Sequence, residues 1–188
     1  MSTSHRYGFS ELVFSDYARF RPGSRAGWIA VLLRVPSIPG LLASIILRAQ
    51  QCLYRSGRIG MANSLRTLGN TLVGADFGAG MQVGTGFMMA HPVGVTIGFG
   101  LVIGDGVTFA GGVTAAARHY DERPGQVQEF ATICDGAVIG ANAVLVGGVR
   151  VGVGAMVGAN SVVLKDVADG AVVMGSPARQ VGTREATA

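Results

Sequence analysis

The sequence predicts a mainly β chain: a parallel β-helix of six-residue repeats, preceded by a short α-helical segment. Three observations predict it. Glycine supplies 30 of 188 residues, about twice its usual share, with 49 % hydrophobic and 14 % charged residues. An aliphatic residue recurs every six positions from residue 73 onward. The first 72 residues lack that period and carry apolar residues at helical spacing instead.

In blocks of six from Val73 the chain reads VGADFG, AGMQVG, TGFMMA, HPVGVT, IGFGLV, IGDGVT, FAGGVT. The fifth position is Phe77, Val83, Met89, Val95, Leu101, Val107 and Val113, all apolar. The pattern breaks at Ala115 and resumes at Ile133 as ICDGAV, IGANAV, LVGGVR, VGVGAM, VGANSV, VLKDVA. An aliphatic side chain every six residues points into a narrow triangular core. Small residues follow where the chain turns a corner, and glycine there tolerates positive φ. Three blocks make one turn, so thirteen blocks in one phase predict a little over four coils.

Before the coil, Ser10 is placed to cap a helix over 11–20 with Leu12, Val13 and Tyr17 on one side. Residues 28–35 and 41–54 read as two apolar-faced helices around PSIPG, and 59–72 as another leading into the coil. The organisation expected is a helical segment at 1–72, a β-helix at 73–168 with an extended polar loop at 115–132, and a closing strand and tail at 169–188. Polar loops thrown out of a repeat array often hold function.

Composition excludes several classes. High apolar and low charged content excludes a disordered chain, and six prolines without a three-residue period exclude a collagen rod. The apolar stretches 30–33 and 41–47 are too short to span a bilayer, and no cleavable signal pattern opens the chain. Cys52 and Cys134 have no zinc or redox spacing. A cytoplasmic protein with two reduced thiols is expected. Residues 1–72 hold nine Arg against Glu11 and Asp16, while residues 73–188 carry six basic and nine acidic residues. The basic segment reads as a solvated helical face. Arg34, Arg48 and Arg55 also allow peripheral contact with a membrane surface. No RNA-binding aromatic motif or helix-turn-helix points to nucleic acid.

Chemistry has few places to sit. In MMAHPVGVTIG, His91 replaces the aliphatic first residue of a hexad and so breaks the rule of its own repeat. Imidazole is the natural base for an alcohol near neutral pH. Asp76 precedes it by 15 residues, close to one coil, where a carboxylate can fix the tautomer and stabilise the imidazolium. His119, in ARHYDER of the loop, is the second candidate. On spacing alone His91 is either a base or a satisfied polar residue at a subunit interface.

The hexads resemble those of the hexapeptide-repeat proteins over about residues 70–182. That family implies a left-handed coil, a homotrimer with sites in the clefts between coils, and in most members acyltransfer from acyl-CoA. HPVGVTIG followed by GDGVTFAGGVT resembles the serine O-acetyltransferases. The resemblance makes His91 the catalytic base, Asp76 its partner, and Arg118 with His119 the pair that holds the acceptor. It assigns IGANAV and VGANSV to the coenzyme arm. Gly112, Ala117, Ala141, Ala159 and Ser161 then line the cofactor, and GSPARQV matches the usual ending. Ala90 departs from the pattern: the family has there an Asp that contributes to serine binding. The short N-terminal segment and the TREATA ending also differ. The stretch HYDERPGQVQEFATICDGAVIGANAV, with VVLKDV and GSPAR, resembles the maltose and galactoside O-acetyltransferases instead. That resemblance makes His119 the base and a sugar hydroxyl the acceptor.

Both resemblances imply acetyl-CoA as co-substrate, no metal, and a homotrimer that stacks into a dimer of trimers if residues 1–70 pair. A non-catalytic binding coil is the reading from another class. A γ-type carbonic anhydrase needs three His ligands, and only His91 and His119 lie outside the N-terminal tail.

Overall fold

A computed structural model describes residues 7–117 and 129–184. Four helices come first: α1 (Phe9–Phe20), α2 (Trp28–Arg34), α3 (Pro39–Arg55) and α4 (Ile59–Val73), with a single 3-10 turn, Val35–Ser37, between α2 and α3. α1 begins earlier than expected. Gly8 is its N-cap and donates its N–H to the Glu11 carboxylate at 2.7 Å, so Ser10 lies inside the helix rather than capping it. α3 opens on Pro39, whose missing N–H has no intrahelical partner in a first turn anyway. α4 ends at Gly74, which takes the left-handed conformation at φ +66°, and the first strand begins two residues later.

The coil is made of two- and three-residue strands stacked in three parallel sheets. The first holds β1 (Asp76–Phe77), β4 (Thr96–Ile97), β7 (Thr114–Ala116), β10 (Val144–Val146) and β13 (Val162–Val163). The second holds β2 (Gln82–Val83), β5 (Val102–Ile103), β8 (Thr132–Ile133) and β11 (Arg150–Val151). The third holds β3 (Met88–Met89), β6 (Thr108–Phe109), β9 (Val138–Ile139), β12 (Met156–Val157) and β14 (Ala171–Met174), with β15 (Arg179–Thr183) closing antiparallel on β14. No described helix is long and apolar enough to cross a membrane.

The repeat does not keep one phase. Asp76 pairs with Thr96, twenty residues on, whereas Thr96 pairs with Thr114, eighteen on. Two extra residues therefore enter the first coil between β3 and β4, where AHPV stands. The apolar pattern hides the slip because two positions per hexad face inward. Phe77, Val83 and Met89 occupy one of them; Val95, Leu101, Val107 and Val113 occupy the other, two residues earlier, and all seven are fully buried. Ile97, Ile103 and Phe109 continue the first column. A slip of two exchanges one inward column for the other and leaves an aliphatic residue every six. His91 thus lies in the insertion and replaces no core residue.

Above it, Val102 pairs with Thr132, thirty residues on, so the chain between β7 and β8 is twelve residues longer than a coil needs. Ala115 and Thr132, the bounds expected for the loop, are themselves strand residues. On the return, the Phe130 ring lies against Gly98 and Gly100, where any Cβ would collide with it.

The helices are bolted to the coil by polar contacts. Arg48 of α3 is fully buried and pairs with Asp16 of α1 at 2.7 Å. It also donates to the carbonyls of Val83 and Gly84. Arg19 donates to the carbonyls of Gly86 and Gly106 and to the Thr108 hydroxyl. The expectation of a wholly solvated basic face fails here, and Arg48 is unavailable to a membrane. Both arginines answer carbonyls left unpaired at the coil edge, since a parallel coil exposes backbone acceptors wherever it turns.

Near the first turn of α3 the helix backbone rests on the coil. A Cβ at Gly40 would overlap the Met89 carbonyl oxygen and press on Phe20. Gly40→Ala should therefore cost about 1–3 kcal/mol through overpacking, read as a lower melting temperature; an unchanged one would mean that α3 shifts freely.

Candidate active site

The segment 90–95 is tied on both sides. Below it, Gly94 N–H donates to the Gly74 carbonyl at 2.8 Å, and Asp76 N–H donates to the Val95 carbonyl at 2.8 Å. Above it, Ala90 N–H donates to the Phe109 carbonyl at 2.9 Å, and Gly112 N–H to the Val93 carbonyl at 3.0 Å. Pro92 is buried, while Ala90 and His91 are exposed. The insertion is a fixed ledge from which His91 projects. Among the described residues the imidazole makes no hydrogen bond, so nothing holds it for a structural purpose.

Gly111 faces His91 from the next coil. A Cβ there would lie 3.3 Å from both the His91 Cβ and its carbonyl oxygen. The Gly111 N–H has no acceptor among the described residues. Gly112 beside it has φ +70°, with the Asn142 amide packed where its Cβ would be.

From Gly111 a column of small residues runs along the coil edge. Asn142 N–H donates to the Gly111 carbonyl, and Asn160 N–H to the Ala141 carbonyl, both at 2.8 Å. Asn142 and Asn160 each take φ +56°, the left-handed region that asparagine enters more readily than most residues. Gly111, Ala141 and Ala159 are thereby stacked one coil apart, with Ala141 half-buried and Ala159 exposed. Ala117 is buried at the point where the chain leaves the coil. Ser161 is fully buried on an inward position, and its hydroxyl accepts the Gly175 N–H at 3.1 Å. Its side chain faces the coil interior rather than a surface that a cofactor can reach.

Asp76 is brought into backbone contact with the His91 ledge, but its carboxylate is engaged elsewhere. Arg66 of α4 grips it with Nε and Nη2, the second contact at 2.7 Å. No hydrogen bond joins Asp76 to His91 among the described residues. The Asp76 hydrogen bond raises the Arg66 guanidinium above its already high ordinary value. The same guanidinium lies 5.1 Å over the Phe99 ring. Sequence reasoning missed Arg66 and Phe99: one is an arginine among nine in a helical segment, the other a solvent-facing residue of a repeat. Arg118 and His119 lie outside the described residues. Among the described residues no group of three or more His, Cys, Asp or Glu is placed to hold a metal.

No family model matches the chain. Comparison with curated proteins finds a serine acetyltransferase of Helicobacter pylori, 31 % identical over 160 residues that cover 85 % of this chain and 89 % of the relative. Serine acetyltransferase 4 of Arabidopsis thaliana is 34 % identical over 145 residues, which cover 77 % of this chain and 40 % of the relative. The chain thus spans about two fifths of that plant relative's length. Among solved structures, serine acetyltransferase of Brucella abortus in complex with coenzyme A matches with a TM-score of 0.77 and 26 % identity. That match covers 98 % of this chain and 69 % of the other. With near-complete overlap against the Helicobacter relative and a shared coil, the chain belongs to the serine acetyltransferase family of hexapeptide-repeat acyltransferases.

Proposed function

We propose that the chain is an acetyl-CoA-dependent O-acetyltransferase with His91 as general base. The observation that carries this reading is the column of small residues rising from His91 through Gly111 and Ala141 to Ala159. Its positions carry only small side chains, and it starts at the one exposed imidazole of the described coil. The Brucella relative of like fold was solved with coenzyme A.

In this mechanism the His91 imidazole accepts the proton of an acceptor hydroxyl. The oxygen attacks the thioester carbonyl carbon, and the oxyanion forms beside the Gly111 N–H, a donor with no acceptor among the described residues. The C–S bond then breaks, and the imidazolium returns its proton to the departing thiolate. The products are the acetyl ester and free CoA. Asp76 supplies a carboxylate near the imidazolium while Arg66 fixes its position. Arg118 and His119 orient the acceptor. No acyl-enzyme is needed. A left-handed coil, a homotrimer with the acceptor between subunits, and a cytoplasmic location complete the proposal.

Ala90 keeps the acceptor open. Without a carboxylate before the base, an amino group loses one partner, and a hydroxyl acceptor without that group fits as well. CoA release from acetyl-CoA, assayed with L-serine and in parallel with galactose, separates the readings. Release with serine means that Ala90 does not abolish amino acid recognition. Release with galactose alone moves the base to His119. Silence with both, together with no CoA binding, leaves a non-catalytic coil and overturns the proposal.

A further inference from the structure

α2 presents an apolar face that none of the described residues covers. Ile29, Leu32 and Leu33 are 79 %, 62 % and 75 % exposed. On the opposite side Val31 is fully buried in a small core with Val13, Tyr17 and Leu41. Trp28 is pinned between Phe9, 5.6 Å away, and Phe14, 5.3 Å away. The helix is therefore anchored, and the three aliphatic residues project from a fixed base. Isolated exposed aliphatics are ordinary; three on one short helix face are a patch that calls for an occupant.

The charges around it indicate which occupant. Exposed Arg21 and Arg25 precede the helix, and exposed Arg34 ends it. No acidic residue occurs between Asp16 and Asp76. Asp16 is fully buried against Arg48, and the exposed Glu11 of α1 is engaged at the start of its own helix, accepting the Gly8 N–H at 2.7 Å. A second copy meeting this face across a two-fold axis would set these arginines against their own equivalents, with no carboxylate in the segment to receive them. An anionic bilayer surface accepts both features: aliphatic side chains enter the headgroup boundary and arginines meet lipid phosphates.

We propose that the α2 face, Ile29, Leu32 and Leu33 flanked by Arg21, Arg25 and Arg34, seats the protein on an anionic lipid surface. Contact is interfacial, since no described helix is long and apolar enough to span. Each arginine within a Debye length of such a surface adds about fivefold to binding, so the interaction weakens with salt. The inference is independent of the acetyltransfer reading, because binding is read without substrate.

The test is flotation of the full chain with phosphatidylglycerol–phosphatidylcholine vesicles and with pure phosphatidylcholine vesicles. The expected result is flotation with the anionic vesicles only, at least tenfold reduced in the double variant Leu32→Asp, Leu33→Asp. A second double variant, Ile29→Ser with Leu33→Ser, serves if the aspartates disturb folding, which circular dichroism reports. Wild type remaining at the bottom with anionic vesicles overturns the proposal, as does equal flotation of wild type and folded variants. A vesicle-independent loss of assembly size in the variants, with no flotation of wild type, assigns the face to a second copy and overturns it too.

Discussion

Replacing Arg48 by alanine is expected to lower folding stability by about 3–5 kcal/mol, the scale on which breaking one half of a buried ion pair acts. The geometry places this side chain at the upper end. Arg48 is fully buried and all five of its N–H donors are used. Two go to Asp16, one to the Gln51 side-chain oxygen, and two to the carbonyls of Val83 and Gly84. Alanine leaves the Gly84 carbonyl without its donor, the Val83 carbonyl with only the Gln51 amide at 3.5 Å, and the Asp16 carboxylate stranded, with remaining contacts that include the Phe87 N–H at 2.9 Å. Burial pushes the Asp16 carboxyl above its ordinary value of 3.8, against the pull of Arg48. Without Arg48 the largest opposing pull is lost, and only the Phe87 N–H and the charge of Arg19 still act against burial. A carboxyl raised in the folded state contributes stability below its unfolded value and loses it as pH rises through the folded one. The deficit of the variant should accordingly grow from about pH 4 upward. Arg48→Lys should fall between the two, since one ammonium cannot serve five directions. Urea denaturation at pH 5 and pH 8 measures all three; a loss below about 1 kcal/mol would mean that the helices are not held to the coil through this residue.

That pair also marks the limit of what the sequence discloses. The strands of the coil were legible because one physical rule, an aliphatic side chain into a narrow core every six residues, repeats often enough to exclude accident. Val83, Ile139 and Leu145 could be placed inward from spacing alone. The insertion at AHPV was not legible, since the coil has two inward columns and a slip of two passes from one to the other. His91 was nonetheless singled out, for a reason the register revises: the imidazole does not interrupt the core but stands on a ledge beside it. Asp16 and Arg48 are 32 residues apart on two helices, and neither breaks a pattern, so only tertiary packing brings them together. The same holds for Arg66 and Asp76. The basic excess before residue 73 read as solvated; three of its arginines instead satisfy backbone acceptors or carboxylates. The stacking of Ala141 and Ala159 on one edge of the coil followed from the repeat, whereas the grip of Arg66 on Asp76, where a helix reaches over, did not.

His91→Ala is expected to reduce turnover by 10²–10⁴, the usual contribution of a positioned general base, about 2.7–5.5 kcal/mol of transition-state stabilisation. The fold should be indifferent. The imidazole is exposed and makes no hydrogen bond among the described residues, and the ledge is held by the backbone bonds of Ala90, Gly94 and Gly112. A melting temperature within a degree or two of wild type corresponds to the small cost of such surface changes. The kinetic signature separates a base from a binding group. Loss of a base lowers kcat and kcat/KM together; loss of a contact made equally to substrate raises KM alone. His119→Ala, measured beside it, tests the sugar-acetyltransferase arrangement with the same readout. A fall of less than about tenfold for His91→Ala, with a larger one for His119→Ala, would transfer the proton to the loop histidine. It would leave the ledge as the wall of the acceptor site.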